Sequence, residues 1–400
     1  PVTSWTDKQI TCGVPPGASG VVPVKVTTGA GTSNGIDFSV VPWLDHLEPA
    51  SGTAGSSFAL CGSGFGPAQG KSFVVIGGRR AECGSWKDDQ VTCTVPGGLS
   101  RVVQVSITTE GGASRQLSFG IVPRIDRIDP NAGVVGSAVS ITGASFGPEK
   151  GVSSVSFGDT AATEYASWAD GKVVVRVPPG VSGAIKVTVT TEGGMSNAVD
   201  FRVIPLVSAL DPTSGTVSTA VKVSGTGFGR AQGSAYVTFG TTKVTEYASW
   251  SDSQVVCGVP PGAGGRTSVR VTTAGGTSAP AAFRVVPSVT SVVPGSGAVG
   301  DAVTIEGSAF VQGNSFVSFG SVRASRYVSW SYGRVVCIVP PGVSGVSSVR
   351  VTTSGGASNA VDFSVIPTIT RMDQYAAEIG ARLTITGTAF GDSQGSSQVA

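Results

Sequence analysis

The sequence predicts an all-β chain, a tandem array of antiparallel β-sandwiches forming an extended rod. Three observations carry this reading. A long repeat runs through the whole chain: Trp5, Trp86, Trp168, Trp250 and Trp330 lie 81, 82, 82 and 80 residues apart. Inside each repeat, short runs alternate apolar and polar residues between turn signals rich in Gly, Pro, Ser, Asn and Asp, the pattern of half-buried strands. No segment holds a 3.6-residue periodicity over ten residues, so helices are excluded as a main element.

The repeat has two further markers. The proline of a "VP" or "IP" pair falls at Pro42, Pro123, Pro205, Pro287 and Pro367, and the phenylalanine of G-x-x-F-G or a variant falls at Phe65, Phe146, Phe228, Phe310 and Phe390. Both sets keep the tryptophan spacing. The unit is too long for an ankyrin or leucine-rich solenoid and long enough for a small domain with its own core. Four complete units are expected at 43–123, 124–205, 206–287 and 288–367, with the back part of a unit at 1–42 and the front part of another at 368–400. The expectation is a window on a longer array.

Residues 124–205 show the elements in order. "RIDRIDP" is a short strand and turn. "AVSITG" sets Val139 and Ile141 on one face, Ser140 and Thr142 on the other. "GASFGPEKG" is a glycine-rich loop, "VSSVSFG" and "ATEYASW" are strands, and "ADGK" is a turn. "VVVRVP" aligns Val173, Val175 and Val177, and "PPGVSG" turns the chain. "AIKVTVTT" and "AVDFRV" are the last strands, joined by the hairpin "EGGMSN". Seven short strands with close turns make a sandwich.

These motifs resemble a known family. "P-x-I/V-x-x-I/L-x-P-x-x-G", "V-x-I/V-x-G-x-x-F-G", "V-x-F-G", "V-P-P-G-x-x-G" and "V-T-T-x-G-G-x-S-N-A-V-D-F-x-V" are similar to the IPT/TIG domain, a subclass of immunoglobulin-like sandwiches. The resemblance spans all 400 residues. It implies bacterial surface proteins, extracellular enzymes and receptor ectodomains, and in a minority dimerisation domains of transcription factors. The fourth unit departs from the pattern, with Val311 in place of the glycine after Phe310 and a shorter loop following.

Composition narrows the function classes. Lys and Arg number 27 against 25 Asp and Glu, a net charge of +2. Nucleic-acid binding needs a basic face, and the longest basic run is Arg79-Arg80, so nucleic acid is not an expected partner. No apolar run reaches membrane-spanning length. One histidine excludes a multi-histidine metal cluster, and no metal or other cofactor is expected. The loops at 62–66 and 225–229 look like phosphate-binding G-x-G, but that chemistry needs a following helix N-terminus, and a strand follows here. Paired carboxylates for glycoside hydrolysis need a cleft that nothing in the sequence predicts, so no enzyme activity is expected.

The recurrent Trp, beside Tyr165, Tyr247 and Tyr327, fits packing against a hairpin better than a sugar platform. Trp43 differs: its counterparts are Arg124, Leu206, Ser288 and Thr368, and it sits at a junction beside His46. A domain contact or a binding contact is the expectation for Trp43 and His46. Cys12, Cys93, Cys257 and Cys337 share one inward repeat position that holds Val175 in the 124–205 unit. Cys83 and Cys93 flank a hairpin and form a candidate disulfide; Cys61, on an outward phase, is the alternative partner.

The junctions "F-x-V-V/I-P" run into the next first strand without a Gly/Ser linker. Proline fixes its own φ and biases its predecessor to extended backbone, so neighbours should sit end to end. The resulting expectation is a non-catalytic structural segment of a long extracellular or cell-surface protein, a stiff stalk or fibre. The alternative is an adhesive or carbohydrate-binding array, or an accessory arm of an extracellular enzyme. Expected partners are the neighbouring domains, with further copies of the chain in a filament and glycan as the alternatives.

Overall fold

The computed structural model describes residues 1–394 and 398–399; residues 395–397 and 400, in the last partial unit, lie outside the described residues. The chain divides into two compact units, residues 1–202 and 203 onward.

The sandwich at 124–205 represents the repeat. Arg124–Asp129, Ala138–Ala144, Lys172–Arg176 and Tyr165–Ala169 form one four-stranded sheet in that order. Opposite it, the order is Ala132–Gly133, Val199–Val203, Gly183–Thr191, Ser154–Phe157 and Thr160–Ala161, with Gly194–Met195 also pairing Gly183–Thr191. The same two sheets recur in 43–123, 206–287 and 288–367. The seven strands expected from alternation are present. Three further strands per sandwich, of two or three residues, were not foreseen, because so few residues do not show a period.

Alternation drives the core. Val139 faces Val175 and Ile141 faces Val173 across the central pair, and all four are fully buried. Each such side chain contributes roughly 1.5–3 kcal/mol on burial. From the second sheet, Phe157 and Phe201 meet edge to face with centroids 5.4 Å apart; Phe239–Phe283 and Phe319–Phe363 repeat the contact.

The first strand of every sandwich carries a register shift. This bulge lets apolar residues three apart both face inward, as Leu44 and Leu47 or Ile125 and Ile128 do. It also fixes which residues face outward, among them His46.

The recurrent tryptophan is structural. The indole Nε1 of Trp86, Trp168, Trp250 and Trp330 donates to the carbonyl of Phe65, Phe146, Phe228 and Phe310 at 3.0, 3.1, 3.1 and 2.6 Å. It pins the glycine-rich loop to the hairpin. In three sandwiches Asp88, Asp170 and Asp252 accept from the N–H of Gly66, Gly147 and Gly229 in the same loop. In the fourth, where Val311 replaces that glycine, Tyr332 stands in the aspartate's place and serves the junction instead.

The hairpin motif T-x-G-G-x-S is read directly by hydrogen bonds. Thr109, Thr191, Thr273 and Thr353 Oγ1 accept from the N–H of Gly111, Gly193, Gly275 and Gly355. Ser196 Oγ accepts from Val189 N–H and donates to Asn197 O. Thr109, Thr191, Thr353 and Ser196 are buried, where an unpaired polar group would cost about 1–3 kcal/mol.

Candidate functional site

Two regions carry features beyond what one sandwich needs to fold: the junctions and the outward face around Trp43.

At the junctions the linking Pro42, Pro123, Pro205 and Pro287 are buried. The residue before each loop phenylalanine adopts a left-handed backbone, φ 75° at Gly64, 63° at Ser145 and 60° at Ala309. A β-carbon on Gly64 would lie 3.6 Å from the Pro42 Cα. Ala309 is fully buried and belongs to the core cluster of the preceding sandwich, 206–287. The first glycine of three T-x-G-G hairpins also meets the neighbour. A β-carbon on Gly111 would overlap the Val40 carbonyl oxygen, one on Gly193 the Ile121 oxygen, and one on Gly355 the Val285 oxygen. Sequence reasoning assigned this glycine to a hairpin turn alone; its close approach to the next domain leaves no separate mark in the pattern.

Side chains fasten the same surfaces. Arg101 donates to Glu149 O at 2.8 Å across the 43–123/124–205 junction. Arg101 holds φ 62°, where Gly20, Gly183, Gly265 and Gly345 stand in the other copies. Across the 206–287/288–367 junction, Tyr332 Oη donates to Ala263 O at 2.8 Å, and Ser354 Oγ accepts from Arg266 N–H at 3.1 Å.

Trp43 opens strand Trp43–Glu48 and is 55% exposed. The Arg115 guanidinium stacks on its ring at 4.5 Å. Arg115 also donates through Nε to Leu44 O at 2.5 Å and through its terminal nitrogen to Asp45 O at 2.7 Å. In the next sandwich Asn197 occupies this position and brackets Ile125 N–H and C=O. Arg115 thus keeps the backbone anchoring and adds a cation–π contact that orders the tryptophan. A shallow depression beside it is lined by Trp43, Asp45, His46, Lys87, Asp89 and Gln90.

His46 is exposed, and its Nδ1 lies 2.9 Å from Asp45 Oδ2. It stands directly opposite Cys61 on the neighbouring strand. Sequence reasoning named Trp43 and His46 as a contact and Cys61 as an alternative disulfide partner, but did not join Glu48 and Cys61 to His46 in one cluster. The signal that finds them is the bulged register.

Cys83 and Cys93 pair across adjacent strands and form a disulfide, leaving Cys61 free. Cys257 and Cys337 are buried free thiols, each pushed up to about 12 by burial. Cys12 is exposed, because residues 1–42 form only two-stranded sheets and put no second layer over it.

The IPT/TIG domain family matches residues 42–121, 123–203, 205–285 and 287–365. Fibrocystin-L of Homo sapiens is 26% identical over 311 residues, 72% of this chain but 7% of that protein's length. A cyclomaltodextrin glucanotransferase of Paenibacillus macerans is 39% identical over 79 residues, 19% of this chain and 11% of the enzyme. Among solved structures, the surface glycan-binding protein PbSGBP-B from Prevotella bryantii overlaps 37% of each chain at 20% identity with a TM-score of 0.27. With the same pair of sheets built at all four matching stretches, this chain belongs to the IPT/TIG domain family as a tandem array.

Proposed function

We propose that this chain is a non-catalytic structural segment of a long extracellular or cell-surface protein, a stiff stalk or fibre whose unit is the sandwich with its junction. The observation that carries the reading is the close approach at Gly111, Gly193 and Gly355, where a hairpin backbone lies directly on the last strand of the preceding sandwich. Buried prolines and the Arg101, Tyr332 and Ser354 contacts act at the same places. A chain of independent beads would need none of these. In this reading the boundaries are 43–123, 124–205, 206–287 and 288–367, with partial domains at 1–42 and 368–400. Electron microscopy of the isolated protein tests it: straight rods or filaments are expected, and molecules bending freely at every junction would overturn it.

A specific observation favours a second reading, an adhesive or glycan-binding array or the accessory arm of an extracellular enzyme. Trp43 offers an exposed, Arg-ordered ring above a depression with carboxylate and amide groups, and one stretch of the chain resembles part of a cyclomaltodextrin glucanotransferase. Stacking of a sugar on an aromatic face with polar groups around it fits such a surface. Binding on a glycan array that disappears in Trp43→Ala is the expected result of this reading, and binding retained in that variant would refute it.

A further inference from the structure

We infer that His46, Glu48 and Cys61 form a surface site for one divalent transition-metal ion of the zinc type. Their ligand atoms all lie within 4.8 Å of one another. The bulged register sets His46 opposite Cys61, and Glu48, two residues on, returns to the same outward face. Beneath them Leu44 and Leu60 are fully buried, so all three donors stand on packed strands rather than on a loop. Zinc bonds of about 2.0–2.3 Å place tetrahedral ligands about 3.3–3.8 Å apart, a closure that side-chain rotation supplies.

The donor set suits the ion. One imidazole, one carboxylate and one thiolate match zinc's borderline-soft preference, whereas calcium and magnesium take oxygen donors. The neighbours act as an outer shell. Asp45 Oδ2, 2.9 Å from His46 Nδ1, accepts that N–H and leaves Nε2 as the free ligand. The amide Nε2 of Gln90 lies 3.9 Å from Cys61 Sγ and supports the thiolate. Asp45, Glu48 and Asp89 outnumber Lys87 around the depression, so the local field favours a cation. Exposure of the site leaves a fourth coordination position open to water or to a donor from a partner.

The fold does not ask for these residues. The pair His46–Cys61 is Arg127–Thr142, Ala209–Ser224 and Ser291–Glu306 in the other sandwiches, and Glu48 is Asp129, Asp211 and Val293. In the 124–205 sandwich Arg127 simply pairs with Asp129 at 3.1 Å. Only the 43–123 sandwich brings nitrogen, oxygen and sulfur donors together. A mixed ligand set needs a single histidine, so the exclusion of a multi-histidine cluster leaves this site open.

The test uses the intact chain carrying Cys12→Ser, which removes the exposed thiol outside the site. Zinc is titrated against a chromophoric chelator, and cobalt(II) is added separately to read a thiolate-to-metal charge-transfer band. One ion per chain is expected. Cys61→Ser and His46→Ala should each lower zinc affinity at least about tenfold, with Cys61→Ser abolishing the cobalt band, and Asp45→Asn should weaken binding about tenfold through ligand orientation. Glu48→Gln, nearly isosteric, provides a variant that keeps the fold, with unchanged circular dichroism and a similar loss. Absence of saturable binding, or one-site binding that survives Cys61→Ser and His46→Ala unchanged, overturns the assignment.

Discussion

Replacing Gly193 with alanine should loosen one junction while leaving both adjoining sandwiches folded. The added β-carbon would overlap Ile121 O and stand 2.6 Å from Arg101 O and 2.7 Å from Ile121 C. Ordinary carbon contacts need about 3.5–4.0 Å, so the hairpin must retreat by roughly 1 Å. All the obstructing atoms are backbone and cannot rotate away. Within its own sandwich Gly193 is held by Thr191 Oγ1 at 3.2 Å, and that bond moves with the hairpin. Retreat therefore acts across the junction, where it pulls on the Arg101–Glu149 bond of 2.8 Å. Overpacking of this kind costs about 1–3 kcal/mol, and one or two kcal/mol changes an equilibrium about 5–30-fold. Spin labels introduced as unnatural amino acids, one on an exposed residue of each sandwich, leave the six cysteines untouched. Pulsed electron resonance should give a narrow distance distribution in the parent and a broad one in Gly193→Ala, with the melting midpoint moving by only a few degrees. Gly171→Ala is the control, since its β-carbon would meet nothing closer than Gly143 O at 3.5 Å. An identical distribution in parent and Gly193→Ala would refute the junction argument.

Three other expectations follow from the same contacts and from the buried thiols. Arg101→Gly should broaden the same distance distribution while shifting the melting of the 43–123 sandwich by less than about 1 kcal/mol, because relief of a left-handed non-glycine residue, about 1–2 kcal/mol, is offset by glycine's greater unfolded entropy, about 0.5–1 kcal/mol; a large loss of stability with the distribution unchanged would contradict it. Iodoacetamide at mildly alkaline pH should alkylate Cys12 and Cys61 in the native protein and spare Cys257 and Cys337 until denaturant is added, since burial holds both thiols up to about 12 against an ordinary 9.0. Above pH 9 the unfolded chain releases these protons and the native state does not, so stability contributed by the neutral thiols is full below 9 and falls as pH rises toward 12. Urea midpoints that stay level across that range in the parent and in the Cys257→Val, Cys337→Val double variant alike would refute this linkage.

Much of the fold is legible in the sequence because alternation and turn chemistry act locally. Val139, Ile141, Val173 and Val175 announce their faces by period, and the structure buries all of them. The role of the tryptophan could be argued only as packing; its bond to the loop carbonyl, at 3.1 Å for Trp168, depends on a loop conformation that no residue pattern encodes. The candidate site was half legible. Trp43 and His46 stand out as departures from the repeat, but Glu48 and Cys61 join them only through a bulge that shifts the register between Leu44 and His46. A strict period-two reading of "WLDHLE" cannot bury both Leu44 and Leu47, and that conflict is the trace of the bulge in the sequence. The junction glycines are illegible for another reason: Gly193 is already explained by its hairpin, so its second role adds no new residue type.

The repeats divide between two physical tasks. Core, tryptophan lock and hairpin bonds recur in all four sandwiches, and the residues serving them point inward or toward a neighbour. Outward positions of the first strand have no such duty, and there the copies diverge: a salt bridge of Arg127 with Asp129 in one, Ala209 beside Ser224 in another. The 43–123 sandwich uses this freedom most. Arg115 replaces an asparagine while still holding the Leu44 and Asp45 carbonyls, and it orders Trp43 at the same time. His46, Glu48 and Cys61 then share the adjoining face at no cost to the core, because their inward neighbours Leu47 and Leu60 pack as in the other copies. An array whose fold tolerates any residue on that face can keep most copies as spacers and place a binding surface on one, which is the arrangement that the Trp43 and cysteine variants would separate from a uniform stalk.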